Sequence, residues 1–294
     1  MLSGLLRTMR PHQWVKNLFV LAPLVFAREL FEPAAALRAF AGFVAFCILA
    51  GSVYVLNDLV DVEADRVHPV KKNRPIASGR ITVPQARGAF VVLVSLALGS
   101  ALALGLPFFG AVAAYLVLQL LYSFRLKKVA YLDVLCIALG FELRVLAGSF
   151  AARVPASAYL LVVMFLLAAF LGLGKRAHEL AALALRSGGA PGQTRAALRA
   201  YDLRTLTPLL YATGAATVLT YVVYTLDPRT VEQLGTQYLP LSALCTFFGV
   251  ARFVHLVRRK ADAESPTDAM LRDWPFLGNL GLWAAAVVAI VYFT

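Results

Sequence analysis

Residues 40–65 read FAGFVAFCILAGSVYVLNDLVDVEAD, an apolar run from Phe40 to Leu56 followed at once by Asn57, Asp58, Asp61 and Asp65. Such a run belongs in a bilayer, and three carboxylates stand where it leaves the hydrocarbon. At roughly 100° per residue the three Asp fall within about 60° of one helical face, with Asn57 beside them. Glu63 is turned about 140° from Asp58, off that face. Acids at a helix C-terminus oppose the macrodipole, and like charges this close destabilise one another unless a cation lies between them. Hard oxygen donors suit Mg²⁺, so the segment predicts a magnesium-bridged phosphate compound, with Asp58, Asp61 and Asp65 as ligands. The competing reading is a helix end that solvates its own charges in interfacial water.

The rest of the chain matches this start. Its 294 residues are 60% hydrophobic, with a mean hydropathy of +0.74, more apolar surface than one soluble core could hide. Apolar windows recur from end to end, and nine are long enough to cross a membrane: residues 15–31, 38–60, 86–104, 107–124, 131–152, 156–175, 205–226, 237–257 and 275–293. The expected fold is therefore all-α, a polytopic membrane bundle of nine transmembrane helices in one domain over residues 1–294. Gly105 and Pro107 predict the tight turn between the third and fourth spans.

The 28 Lys and Arg fall mostly into the segments on the N-terminal side of this topology. The positive-inside rule then places the N-terminus and the acidic motif in the cytoplasm and the C-terminus outside. The net charge of +12 is thus largely topological, and it gives no support to nucleic-acid binding. Met1–Lys16 does not read as a cleavable signal. Cys47, Cys136 and Cys245 stand isolated in apolar spans, as small core residues.

Further polar groups gather on the cytoplasmic side. In the loop after the acidic motif, Lys72 and Arg74 lie close enough in sequence to neutralise phosphate oxygens that a metal does not reach. Pro69, Pro75 and Gly79 keep that loop out of a long helix. Lys16 and Asn17 can join the same rim. After the sixth span come Lys175, Arg176, His178 and Glu179, where Lys175 and Arg176 suit a substrate with several phosphates. Glu142 and Arg144 fall near mid-bilayer: Glu142 reads as half of a structural ion pair, and Arg144 as a partner for a lipid phosphate entering sideways. Ser187–Thr194 is a Gly-rich loop. Helix periodicity leaves homo-oligomerisation open.

The full Asn57–Asp65 pattern, the loop Asp65-Arg-Val-His-Pro-Val-Lys-Lys-Asn-Arg-Pro-Ile-Ala-Ser-Gly79 and the helix count resemble the UbiA-type superfamily of intramembrane prenyltransferases. The resemblance covers nearly the whole chain. It implies a helical bundle around a central cavity, open to the cytoplasm and laterally to lipid, with Mg²⁺ held by aspartates. Members that prenylate aromatic rings carry a second Asp-rich motif after the sixth span, where this chain has Gly174-Lys-Arg-Ala-His-Glu-Leu180. That element, with Arg10-Pro-His-Gln-Trp-Val-Lys-Asn17 and Gly140-Phe-Glu-Leu-Arg-Val-Leu-Ala-Gly148, is similar to the decaprenyl-phosphate phosphoribosyltransferase branch.

That branch implies 5-phosphoribosyl diphosphate as donor and a polyprenyl phosphate as acceptor. Asp58, Asp61 and Asp65 would hold Mg²⁺ on the diphosphate, with Asn57 orienting them. Lys175, Arg176, Lys72 and Arg74 would meet the donor's 5-phosphate, and Arg144 or Lys16 the lipid phosphate. One rival is a prenyltransferase moving a polyprenyl group from its diphosphate to an aromatic or other small acceptor, which leaves Lys175 and Arg176 without a task. The other is a transporter, against which stand the missing second copy of the acidic motif and the gathering of charge on one face.

Overall fold

The computed structural model describes residues 2–185, 198, 200–259, 269–270 and 272–294. The Gly-rich stretch Ser187–Thr194 lies outside the described residues. Helices are α1 (Leu2–Met9), α2 (Ala22–Phe26), α3 (Pro33–Val60), α4 (Val62–Val67), α5 (Val83–Leu104), α6 (Leu106–Phe124), α7 (Leu132–Ala152), α8 (Ala158–Leu185), α9 (Leu203–Leu226), α10 (Pro228–Leu234), α11 (Ala243–Arg259) and α12 (Trp274–Phe293). No strand occurs among the described residues. Among the described residues eight helical stretches are long and apolar enough to cross a membrane, which makes this a multi-pass membrane protein.

These eight correspond to eight of the nine expected spans. The remaining one, residues 15–31, is not a single helix: Pro11–Leu21 winds as a 3₁₀ helix and passes into the short α2. Arg10 takes left-handed backbone angles before Pro11, and Arg28 does so after α2, so the segment is bounded by turns at both ends. The sixth span also differs, since α8 runs on to Leu185 through Lys175, Arg176 and Glu179. Two of its charges, Arg176 and Glu179, are paired with each other and, through Arg176, with Asp133, as described below.

The chain divides into two compact units. The first, Met1–Phe124 with Leu143–Ala156, is organised around α3, against which α5, α6, α1 and the 3₁₀ segment pack. A Thr82–Gln85 capping box starts α5, and Gly105, at φ 123°, makes the turn into α6. Phe46 sits at the centre, edge-on to Phe108 and Tyr115 at centroid distances of 6.2 and 5.3 Å. Alanines of α3, α5 and α7 (Ala45, Ala97, Ala101, Ala147, Ala151) fill the surrounding positions and let the helix backbones approach.

The second unit, Arg125–Glu142 with Ser157–Thr294, is built on α8 packed along α9, with α11 against both and α12 against α11. Phe170 of α8 and Phe253 of α11 meet edge to face at 5.0 Å. Asp273 caps α12 through the Phe276 amide and grips Arg252 with both carboxylate oxygens, at 3.0 and 2.9 Å.

Candidate active site

The acidic segment lies in the first unit. Helix α3 stops at Val60 and Asp61 occupies the joint with α4, at φ −93° and ψ 7°. The single helical face expected for the three acids is therefore broken at its middle member. Even so, the Asp61 amide donates to Asn57 O and the Asp65 amide to Asp61 O, so the chain turns without losing its helical bonding.

Asp58 is only 2% exposed and Asp65 is equally buried. Two carboxylates taken that far from water need counter-charge, and two arginines supply it. Arg74 Nη1 donates to Asp65 at 2.6 Å and to Asp58 at 3.2 Å, and Arg10 Nη2 donates to Asp58 at 2.6 Å. Arg10 also lies over the Tyr54 ring at 4.9 Å. Asn57 Oδ1 accepts from Ser123 Oγ at 2.7 Å, which fixes its amide. Asp61 is half-buried, and Lys72 stands exposed on the loop that carries Arg74. Among the described residues no three His, Cys, Asp or Glu side chains are close enough together to hold a metal.

Deeper in the same unit Arg144 and Asn17 are brought together. Arg144 Nε donates to Asn17 Oδ1 at 2.9 Å and its Nη2 to the Tyr115 hydroxyl at 2.7 Å, with the guanidinium 4.7 Å over the Tyr115 ring. Asn17 Nδ2 points to Cys47 Sγ at 3.4 Å. Lys16, next in the chain, is half-buried. Gly148 permits this meeting: a Cβ there would lie 1.9 Å from the Val20 carbonyl oxygen, so the 3₁₀ backbone rests directly on α7.

In the second unit Arg176 has no exposed surface. Its Nε lies 2.9 Å from Asp133 Oδ2 and its Nη1 pairs with Glu179. Asp133 Oδ1 in turn accepts from the Tyr201 hydroxyl, which itself accepts from the Tyr131 amide at 2.6 Å. Burial, with the hydrogen bond to Asp133 next, pushes the Tyr201 phenol above its ordinary value. The expectation that Arg176 meets a substrate phosphate directly collides with this network, since both of its carboxylates would have to part from it first. Lys175, one residue earlier, is half-buried. Glu142 is not in the expected ion pair: its Oε1 is buried and has no hydrogen-bond partner among the described residues.

Arg10, Ser123, Tyr115 and Tyr201 were not singled out from sequence. Each acts on a residue far along the chain, and Arg10 is 48 residues from Asp58. The one local signal was Arg10-Pro11 itself, a charged residue held out of helix ahead of a proline.

Three comparisons bear on the site. A sequence profile of the UbiA prenyltransferase family matches residues 18–280. The decaprenyl-phosphate phosphoribosyltransferase of Mycolicibacterium smegmatis is 32% identical, the match covering 100% of this chain and 94% of that one. The enzyme of that name from Corynebacterium glutamicum is 32% identical over 99% and 87%. In three dimensions the fold is that of a UbiA homolog from Archaeoglobus fulgidus solved with GPP and Mg²⁺, at a TM-score of 0.72, 21% identity and 98% coverage of both chains.

Proposed function

This chain belongs to the UbiA prenyltransferase family, and we propose that it transfers the 5-phosphoribosyl group of phosphoribosyl diphosphate to a polyprenyl phosphate, releasing diphosphate. The observation that carries this reading is the similarity to named phosphoribosyltransferases along essentially the whole chain. Local chemistry supports it. Gly174–Leu180 bears cations where a second acidic motif would hold a prenyl diphosphate, and half-buried Lys175 among them suits a donor with a separate 5-phosphate.

The acidic segment suits Mg²⁺. Asp58 and Asp65 already hold a cationic group, the Arg74 guanidinium, between their carboxylates, and all the donors are hard oxygens. Asp58, Asp61 and Asp65 would have to draw closer together to hold the ion, with Asn57 steadied by Ser123 beside them. An ion held there would supply positive charge to the diphosphate leaving group. Arg10 and Arg74, released from their carboxylates, face the diphosphate oxygens, and exposed Lys72 extends the positive rim. Lys175 takes the 5-phosphate, while Arg176, clamped by Asp133 and Glu179, positions the turn that carries it.

Arg144, with its head fixed by Asn17 and Tyr115, and Lys16 anchor the phosphate of the lipid acceptor. An acceptor phosphate oxygen bonds to the ribose anomeric carbon while the bond from that carbon to the diphosphate breaks. The acceptor is already an anion at neutral pH, so no general base is required. Alignment of the two substrates supplies the acceleration.

The same reading treats residues 1–294 as one transferase domain in the bacterial inner membrane, with nine crossings around a central cavity that opens to the cytoplasm. An eleven-residue 3₁₀ helix rises about 22 Å and α2 about 7 Å more, so residues 11–26 reach the roughly 30 Å of a hydrocarbon core and can make the ninth crossing. The N-terminus and the acids then face the cytoplasm and the C-terminus the outside.

The deciding experiment gives purified protein radiolabelled phosphoribosyl diphosphate, Mg²⁺ and decaprenyl phosphate, and identifies the lipid product. Lipid-linked phosphoribose is expected. Transfer of a prenyl group from a prenyl diphosphate, with no label entering lipid, would refute the assignment in favour of the prenyltransferase reading.

A further inference from the structure

A cavity of about 370 Å³, with none of the acids in its lining, lies between α1 and the turn that follows Arg74, lined by Ser3, Gly4, Arg7, Pro75 and Arg80. Both arginines are exposed, and they come from segments without a carboxylate: neither residues 1–28 nor residues 66–132 contain Asp or Glu. Two guanidiniums converging on one hollow repel each other unless an anion lies between them.

The walls are ordered. Gly4 is packed so closely that a Cβ there would lie 3.3 Å from the Ile81 side chain, which seats α1 on the turn. The turn that carries Arg80 is held by successive backbone bonds, from the Ser78 amide to Arg74 O, from Gly79 to Ile76 O and from Ile81 to Pro75 O, with Gly79 at φ 76° making the reversal. Arg74 and Pro75 are adjacent, so Arg74 serves the acids while Pro75 walls the second hollow. Neither the three acids nor Arg10 and Arg74 line this hollow.

The place of the hollow beside the start of a spanning helix bears on its ligand. Arg80 stands two residues before the cap of the spanning helix α5, and Leu6, beside Arg7 on α1, is an exposed apolar side chain. A hollow at that boundary meets the headgroup layer. We propose that Arg7 and Arg80, with the Ser3 hydroxyl, bind the phosphate of an anionic phospholipid, a lipid site distinct from the proposed transfer site.

The test uses purified full chain in nonionic detergent, titrated with short-chain phosphatidylglycerol, with phosphatidylcholine of the same chain length and with inorganic phosphate. Phosphatidylglycerol should bind in preference to phosphatidylcholine. The double variant Arg7→Ala/Arg80→Ala should bind it roughly 30-fold more weakly, from about a factor of five per cation. The Arg7→Lys/Arg80→Lys variant should keep most of the affinity, and all three proteins should melt alike without lipid. Inorganic phosphate saturating the site as readily as the lipid would keep the phosphate chemistry but overturn the lipid as its source. Undiminished phosphatidylglycerol binding by the double alanine variant would overturn the whole proposal. Transferase turnover is not the readout, so this test and that of the proposed activity fail independently.

Discussion

Arg74 reaches Asp65 at 2.6 Å through the same guanidinium nitrogen that touches Asp58. An internal cation thus occupies the place where the proposed magnesium has to bind, and metal and arginine compete for one pair of carboxylates. Arg74→Ala should therefore have opposite effects on the two ligands. Without donor, Mg²⁺ should bind more tightly, while the KM for phosphoribosyl diphosphate should rise by about tenfold or more as a charge-assisted contact is lost. Titrations of each ligand into wild type and variant measure both, and movement in the same direction would contradict the exchange.

Asp61 sits at the α3–α4 joint and is half-buried, less enclosed than Asp58, so its replacement should disturb the fold less than loss of Asp58 would. Asp61→Asn should lower kcat about 100-fold or more, since even outer partners of a bound metal are worth 10 to 100-fold. Its melting temperature should stay near that of wild type. Turnover close to normal would remove Asp61 from the ligand set.

Gly148 supports Val20 by direct backbone contact. A methyl group placed 1.9 Å from a carbonyl oxygen cannot be absorbed by a rotamer change. Gly148→Ala should cost about 3 kcal/mol or more and pull Asn17 away from Arg144. Thermal unfolding in detergent reads the first effect, and a weaker response to lipid acceptor in surviving protein reads the second.

Tyr201 joins Asp133 to the Tyr131 backbone. Tyr201→Phe should destabilise by roughly 1–3 kcal/mol, because Asp133 is left short of a partner in a buried place. The phenol's folded-state pKa is raised, so its contribution is complete below the ordinary tyrosine value of about 10 and fades as pH rises beyond it. Wild type should lose part of its stability margin over Tyr201→Phe on going to strongly alkaline pH. A margin that grows with pH would reverse the assignment.

A nine-crossing topology puts the termini on opposite sides, an eight-crossing one on the same side. Reporter fusions at Thr294, one fluorescent only in the cytoplasm and one active only outside, distinguish them. Activity outside is expected, and cytoplasmic fluorescence would mean that residues 11–26 turn back within the membrane.

Hydropathy located eight spans because a bilayer imposes a local requirement, about twenty apolar residues in succession, that any window of sequence displays. The Asn57–Asp65 run was equally legible, since its spacing lies on one stretch of chain. The 3₁₀ form of Pro11–Leu21 was not, because hydropathy is blind to how apolar backbone is wound. Nor was the break at Asp61. What only the tertiary structure decided are the partnerships: Arg10 with Asp58, Arg144 with Asn17 across 127 residues, and Arg176 sealed onto Asp133. Whether a charge serves as ligand, anchor or clamp depends on which opposite group shares its desolvated space, and packing brings those groups together from parts of the chain with no common local pattern.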